Sequence, residues 1–353
     1  MTIAASAAFA TTPAAVITAT TPAPPTCVPL DARLVGAAGA ANHLGVVFVT
    51  FANDAQADFA LNWHAHLAAL ELASSALVGA TDATTEHTLI RAGVRCFPLR
   101  SSLGRGEAKW GSDGFSHMGR TKAKLLRTLL ELHATVLFAD IDVVFLRDPL
   151  PYVGRQLAAG AHLLFHTDGF GSSDAAKLTQ PEGLEEPSFG LTPELNTGLF
   201  LATPNASGLA RAWCEALDAD GAFSNWKNDQ QSLNGLVRRG LRMPPPPANG
   251  RSTSASASKL MAAFDGTLRL GLLPNHLFPS GHVFFLQRAL RNASAPLAVH
   301  LTFQNCDQSG KRHRMREAGV WIVDPPSYYE PEGGILSYEP DLPAEVMSAL
   351  VAF

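Results

Sequence analysis

Two aspartates one residue apart, Asp140 and Asp142, follow the apolar run Val136-Leu137-Phe138-Ala139 and precede Val143-Val144-Phe145-Leu146. A run of this kind reads as a buried strand, and residues two apart on a strand project to the same side. Two carboxylates so placed repel and desolvate each other, a cost that a bridging cation removes. Oxygen ligation suits a hard divalent ion, Mg²⁺ or Mn²⁺, with positions left open for phosphate oxygens. The competing reading is that the two acids cap the strand and the turn after it. Apolar neighbours on both sides leave little solvent for the charges and favour metal.

A DxD after an apolar strand occurs in nucleotide-sugar transferases and in haloacid-dehalogenase-like phosphatases. Asp140-Ile141-Asp142-Val143-Val144 fits the phosphatase pattern DxDx(T/V) literally. That mechanism also needs a later acidic pair for its magnesium, and neither DD nor GDxxxD follows. A second charged cluster, Lys311, Arg312, His313, Arg314 and Arg316, crowds what reads as the start of a helix over 310–319. The helix dipole prefers acids there. The cluster makes sense if an anion such as a diphosphate meets the helix N-terminus together with Lys311; a solvated basic face is the plain alternative.

The elements that must position these groups alternate. Strands are expected at 45–51, 77–80, 94–98, 135–139, 195–203 and 298–302, and helices at 55–72, 84–92, 118–133, 207–217 and 228–239. Alternation of this kind predicts an open α/β sheet with mainly parallel strands, whose ligands sit beyond the carboxyl ends of the strands.

The chain has 353 residues, 46% apolar and 16% charged, enough for a sizeable core. Lys and Arg total 27 against 31 Asp and Glu, a net charge of −4, and no basic stripe suggests a nucleic-acid partner. Four scattered cysteines, Cys27, Cys96, Cys214 and Cys306, exclude a zinc module and a disulfide-built mini-scaffold and leave their pairing open. Residues 1–30 carry no charge, yet Ala, Thr and Pro dominate. Residues 1–42 therefore read as a low-complexity, disordered stalk rather than a membrane anchor, and 43–353 as one domain with a flexible insertion near 243–258. Two acceptor triplets for N-glycosylation, Asn205-Ala206-Ser207 and Asn292-Ala293-Ser294, tilt weakly towards a secretory compartment.

Taken in order, Val49-Thr50-Phe51-Ala52-Asn53, Leu61-Asn62-Trp63, the helix of Lys122, Asp140–Pro149, Asn196-Thr197-Gly198, Asp229-Gln230, and His300 with Gly310-Lys311-Arg312 resemble the family-77 glycosyltransferases, the nucleotide-diphospho-sugar transferases of plant and algal wall or glycoprotein synthesis. The resemblance implies a GT-A fold, in which a mixed, mostly parallel sheet is flanked by helices. It also implies a UDP-sugar donor, a divalent cation, and transfer of a sugar (xylose, arabinose or galactose) with retention onto a glycan or glycoprotein in the Golgi or secretory lumen.

By the same resemblance, Asp140, Asp142 and His300 are the metal ligands, the imidazole favouring Mn²⁺ over Mg²⁺. Asp140 is placed to share the metal or hold the donor ribose. Thr50, Phe51 and Asn53 lie where uracil and ribose belong; Asp82, Lys122, Gly198 and Lys311 complete the donor site, although helix capping explains Asp82 equally well. Asn196, Asp229 and Gln230 line the reacting face. Glutamine is a poor covalent nucleophile, which favours front-face displacement over double displacement through Asp229. A DxDxV phosphatase, a catalytically inactive UDP-sugar or glycan-binding relative, and an inverting transferase are the alternatives.

Overall fold

The computed structural model describes residues 26–101, 103–104, 106, 112–169, 194–219, 228–242, 260–286, 295–304, 307–325 and 328. The expected insertion at 243–258, Cys306 and the second glycosylation triplet lie outside these residues. Eight strands form one sheet: β1 (Val46–Ala52), β2 (Ala76–Ala80), β3 (Cys96–Pro98), β4 (Thr135–Ala139), β6 (Leu163–Thr167), β7 (Leu195–Ala202), β8 (Met261–Ala263) and β9 (Leu268–Leu272), in the order β3-β2-β1-β4-β7-β6-β9-β8. Strands β1 to β4 run parallel, β7 opposes both β4 and β6, β9 follows β6 in parallel, and β8 opposes β9. The sheet is thus mixed and mostly parallel, as expected. A separate antiparallel ribbon pairs β5 (Val143–Phe145) with β10 (Ala298–His300).

Every residue of β1 is buried, because both faces of the sheet are covered. Val46 and Phe48 enter one core with α2 (Ala57–Ala69), which includes Phe59 and Trp63. Val47, Val49 and Phe51 enter the other, with α1 (Ala32–Gly39), α4 (Asp113–Glu131), α6 (Ser207–Ala219) and α7 (Asp229–Val237). Helices α3 (Ala83–Arg91), α5 (Leu150–Ala158), α8 (Gly281–Leu286) and α9 (Asp307–Glu317) complete the α-helices among the described residues. The chain leaves β1 towards β2 and β3 on one side and returns to β4 on the other. The carboxyl ends of β1 and β4 therefore border a crevice at a topological switch point, where such sheets bind ligands.

Ordered structure begins earlier than residue 43. Asp31 caps α1 by accepting from the Leu34 N–H at 2.8 Å, and Leu34, Val35 and Ala38 of that helix are buried. Upstream of it, Cys27 is disulfide-bonded to Cys96 on β3, so residues 26–42 are part of the folded body rather than a stalk.

Candidate functional site

The aspartate pair is brought together by a turn, not by strand alternation. Strand β4 ends at Ala139, and the Val143 N–H donates to the Asp140 carbonyl at 3.0 Å, folding Asp140–Val143 back on itself. The β5–β10 ribbon then places His300 opposite Val143. His300 Nε2 stands 3.4 Å from Asp142 Oδ1 and 4.0 Å from Asp140 Oδ2. One ligand atom from each of the three residues lies within 4.8 Å of the others. Gly198, inside β7, makes this convergence possible: its carbonyl accepts from the Asp140 N–H at 2.6 Å. A Cβ on it would lie 2.7 Å from Asp140 Oδ2 and 2.6 Å from His300 Nε2.

Each carboxylate spends its other oxygen on a lysine. Asp140 Oδ1 pairs with Lys122 Nζ at 2.6 Å, and Asp142 Oδ2 pairs with Lys311 Nζ at 2.6 Å. Burial favours the neutral Asp142 carboxyl, but the Lys311 ammonium and His300 outweigh it and hold this group far below the usual carboxylate range. Lys122, only 2% exposed, also lies 3.8 Å from Asp229 Oδ2 and donates to the Thr197 carbonyl at 3.2 Å. Burial penalises its charge, yet Asp140 and Asp229 raise it above the ordinary lysine value. The basic cluster, however, does not sit at a helix start. Helix α9 begins at Asp307, so Lys311 occupies its second turn, while Arg312 pairs with Asp58, Arg314 with Glu317 and Arg316 with Asp324. Lys311 faces the cleft by side-chain direction, not because a helix terminus gathers anions.

On the far wall, the β6–β7 register jumps between Phe165, opposite Phe200, and His166, opposite Asn196. Residues Thr197–Leu199 are thereby released from the β6 ladder and turned towards the acids, a use of irregular pairing common beside functional sites. Thr197 Oγ1 donates to Asp229 Oδ2 at 3.1 Å. Asp229 opens α7 behind an Asn228–Gln231 capping box, and the Trp213 indole N–H donates to its carbonyl at 2.9 Å. Gly119 of α4 gives the carboxylate room, since a Cβ there would come within 2.5 Å of the Asp229 Cβ. Gln230 Nε2 donates to Asp168 Oδ2 at 2.7 Å and to Glu194 Oε2 at 3.1 Å.

These residues line one cleft of about 610 Å³, joined by Thr50 and Phe51 from β1. Asn53 and Asp82 do not reach it. Asn53 Nδ2 donates to the carbonyls of Gly104 and Gly106, and Asp82 caps α3 through Thr85 and accepts from the Asp54 N–H at 2.8 Å. Both hold the loop after β1 in place. The cleft also contains residues that the sequence reading did not single out: Asp168, Glu194, Phe115, Met118 and Phe303, the last half exposed with a left-handed φ of 57°. The sequence signal for Asp168 is weaker than for Asp140: it follows the apolar run Leu163-Leu164-Phe165 of β6 by three residues, with no second acid beside it.

The donor set of two carboxylate oxygens and one imidazole nitrogen, with the glycine cradle around it, fits a divalent cation. The sequence matches the nucleotide-diphospho-sugar transferase family over residues 71–315. Among curated relatives, the arabinosyltransferase XEG113 of Arabidopsis thaliana is 36% identical over 305 residues, covering 86% of this chain and 44% of that protein. UDP-D-xylose:L-fucose alpha-1,3-D-xylosyltransferase 3 of the same plant is 24% identical over 242 residues, covering 65% and 54%. The chain spans about half the length of these curated relatives. The galactosyltransferase LgtC, solved with donor and acceptor sugar analogues, aligns at 13% identity with a TM-score of 0.41, over 80% of this chain and 98% of that one.

Proposed function

The chain belongs to the nucleotide-diphospho-sugar transferase family, and from that premise we propose that it transfers a pentose or hexose from a UDP-sugar to a glycan or glycoprotein acceptor, with retention and with a divalent metal. The observation that carries the reading is the convergence of Asp140, Asp142 and His300 at the floor of the cleft, ringed by two buried or half-buried lysines. A phosphatase reading has no support from family membership.

Asp140, Asp142 and His300 would hold a divalent cation, which would supply Lewis-acid neutralisation of diphosphate charge. Manganese is the better match to an imidazole ligand. Lys311, already held against Asp142, adds a point charge on the same side. Lys122 bridges Asp140 and Asp229 and fixes them relative to each other without entering solvent. Thr50 and Phe51 lie where β1 ends, the place for the nucleoside. Asn196, Asp229 and Gln230 face the sugar. Both N–H groups of the Gln230 amide are directed at carboxylates, and its oxygen accepts from the Thr197 N–H at 3.3 Å. That arrangement suits a positioning and charge-stabilising role better than covalent attack, which supports front-face displacement. The Cys27–Cys96 disulfide supports residence in an oxidising secretory lumen. No helix among the described residues is long and apolar enough to cross a membrane.

The test is Asp142→Ala. Transfer and metal-dependent UDP binding, measured by calorimetry with Mn²⁺, are expected to disappear while the folded circular-dichroism spectrum stays. Full transfer by the variant, or by the wild type in excess chelator, rejects the metal assignment, and NMR of the product anomer decides retention.

A further inference from the structure

The two ends of a side-chain amide are nearly the same shape, and hydrogen bonding alone decides which end points where. Asn196 and Gln230 both line the cleft, so their polarity matters. A single carboxylate sets it for both. Asp168 Oδ1 accepts from Asn196 Nδ2 at 2.7 Å, and Asp168 Oδ2 accepts from Gln230 Nε2 at 2.7 Å. Asp168 is itself anchored, its N–H donating to the Glu194 carbonyl at 3.0 Å.

An ionised carboxylate only accepts, so each amide must turn its NH₂ end to Asp168. The two oxygen ends then fall on successive backbone groups: Asn196 Oδ1 accepts from the Gly198 N–H at 2.7 Å, and Gln230 Oε1 from the Thr197 N–H at 3.3 Å. These N–H groups belong to the segment released from the β6 ladder, and Gly198 is the residue against which Asp140 and His300 pack. Glu194 gives Gln230 a second acceptor but is exposed and holds nothing of Asn196.

We propose that Asp168 is the positioning residue of this site, fixing the amide polarity of Asn196 and Gln230 and, through them, the seat of Thr197-Gly198 under the metal ligands. This rests on the transfer reading above. Asp168→Asn keeps the shape but replaces an obligate acceptor by an amide that pairs with either polarity. Its kcat is expected to fall on the order of 100-fold, the scale of a misplaced reacting group. Donor KM and thermal midpoint stay near wild type. Asp168→Glu, which keeps the charge, recovers part of the rate.

In an Asn196→Ala/Gln230→Ala background, Asp168→Asn causes no further loss. The side-chain NH₂ resonances of Asn196 and Gln230 report the same contacts without turnover: displaced by the carboxylate in the wild type, they return to ordinary amide positions in Asp168→Asn. Wild-type kcat in Asp168→Asn, unmoved NH₂ resonances, or an additive loss in the double-alanine background overturns the proposal. A wild-type protein that turns over no UDP-sugar instead removes the transfer reading, and this inference with it.

Discussion

Gly198 has no side chain where Asp140 Oδ2 and the His300 ring approach, and that absence holds the acids and the imidazole at ligand distance. Gly198→Ala is therefore expected to leave the protein folded and to weaken Mn²⁺ binding at least about tenfold, the lower end for disturbed metal surroundings; calorimetry with the metal alone checks it. Asp82 makes the opposite point, a residue placed with the donor by resemblance whose oxygens serve a helix cap. Burial raises its carboxyl, but the hydrogen bonds from Thr85, Asp54 and Thr84 outweigh this and lower it. A lowered carboxylate adds stability above its unfolded pKa and loses it as pH falls through the folded value. Asp82→Ala should thus cost about 1 kcal/mol at neutral pH, and the gap to wild type should close below about pH 4, as urea unfolding across pH will show. A single sequence shows which residues carry charge but not how their oxygens are divided: the gathering of Asp140, Asp142 and His300 follows from residue type and spacing, whereas the choice of the cap over the donor for Asp82, and the bonds of Asn53 to Gly104 and Gly106, needed the fold.

One fork joins helix α9 to α2. Arg312, 8% exposed, donates to both oxygens of Asp58 at 2.6 and 3.1 Å and lies 4.9 Å from the centre of the Phe59 ring. It thereby ties α9 to α2, and Lys311 next to it reaches Asp142. Arg312→Ala should cost about 2 kcal/mol, the worth of hydrogen bonds to a charged partner. Amide exchange across α9 should rise with it, while β4 stays protected. Elements with an uninterrupted apolar or helical pattern were legible: β4 as Thr135–Ala139, β7 and α6 nearly to their ends, α4 with its start five residues early at Asp113. Those that were not had mixed signals. Strand β6 buries His166 and Thr167, β9 alternates as Leu268-Arg269-Leu270-Gly271-Leu272, and α5 starts behind Pro149 with Pro151 in its first turn, which reads as a loop. Missing β6 also hid Asp168.

At the scale of the molecule, the class of fold followed from the alternation of strands and helices, but the strand order did not. Nothing local in Leu195–Ala202 announces that it runs against β4 and β6 between them; that placement comes from the two cores formed by Phe138, Phe165 and Phe200 on one face and Leu137, Leu164 and Leu201 on the other. The pairing of Cys27 with Cys96, 69 residues apart, was equally out of reach, since connectivity is decided by where the fold brings two thiols. Replacing both with alanine should lower unfolding free energy by about 2–4 kcal/mol, measured by denaturant titration under non-reducing conditions.

The same cross-link has a mechanical side. Tension applied to the chain ahead of Cys27 passes straight through sulfur into β3, and the 69-residue segment up to Cys96, with β1, α2, β2 and α3 inside it, carries none of that load. Stretching the protein from that end would leave roughly 240 Å of contour length locked away, so the segment that carries Thr50 and Phe51 cannot be drawn out while the molecule is pulled.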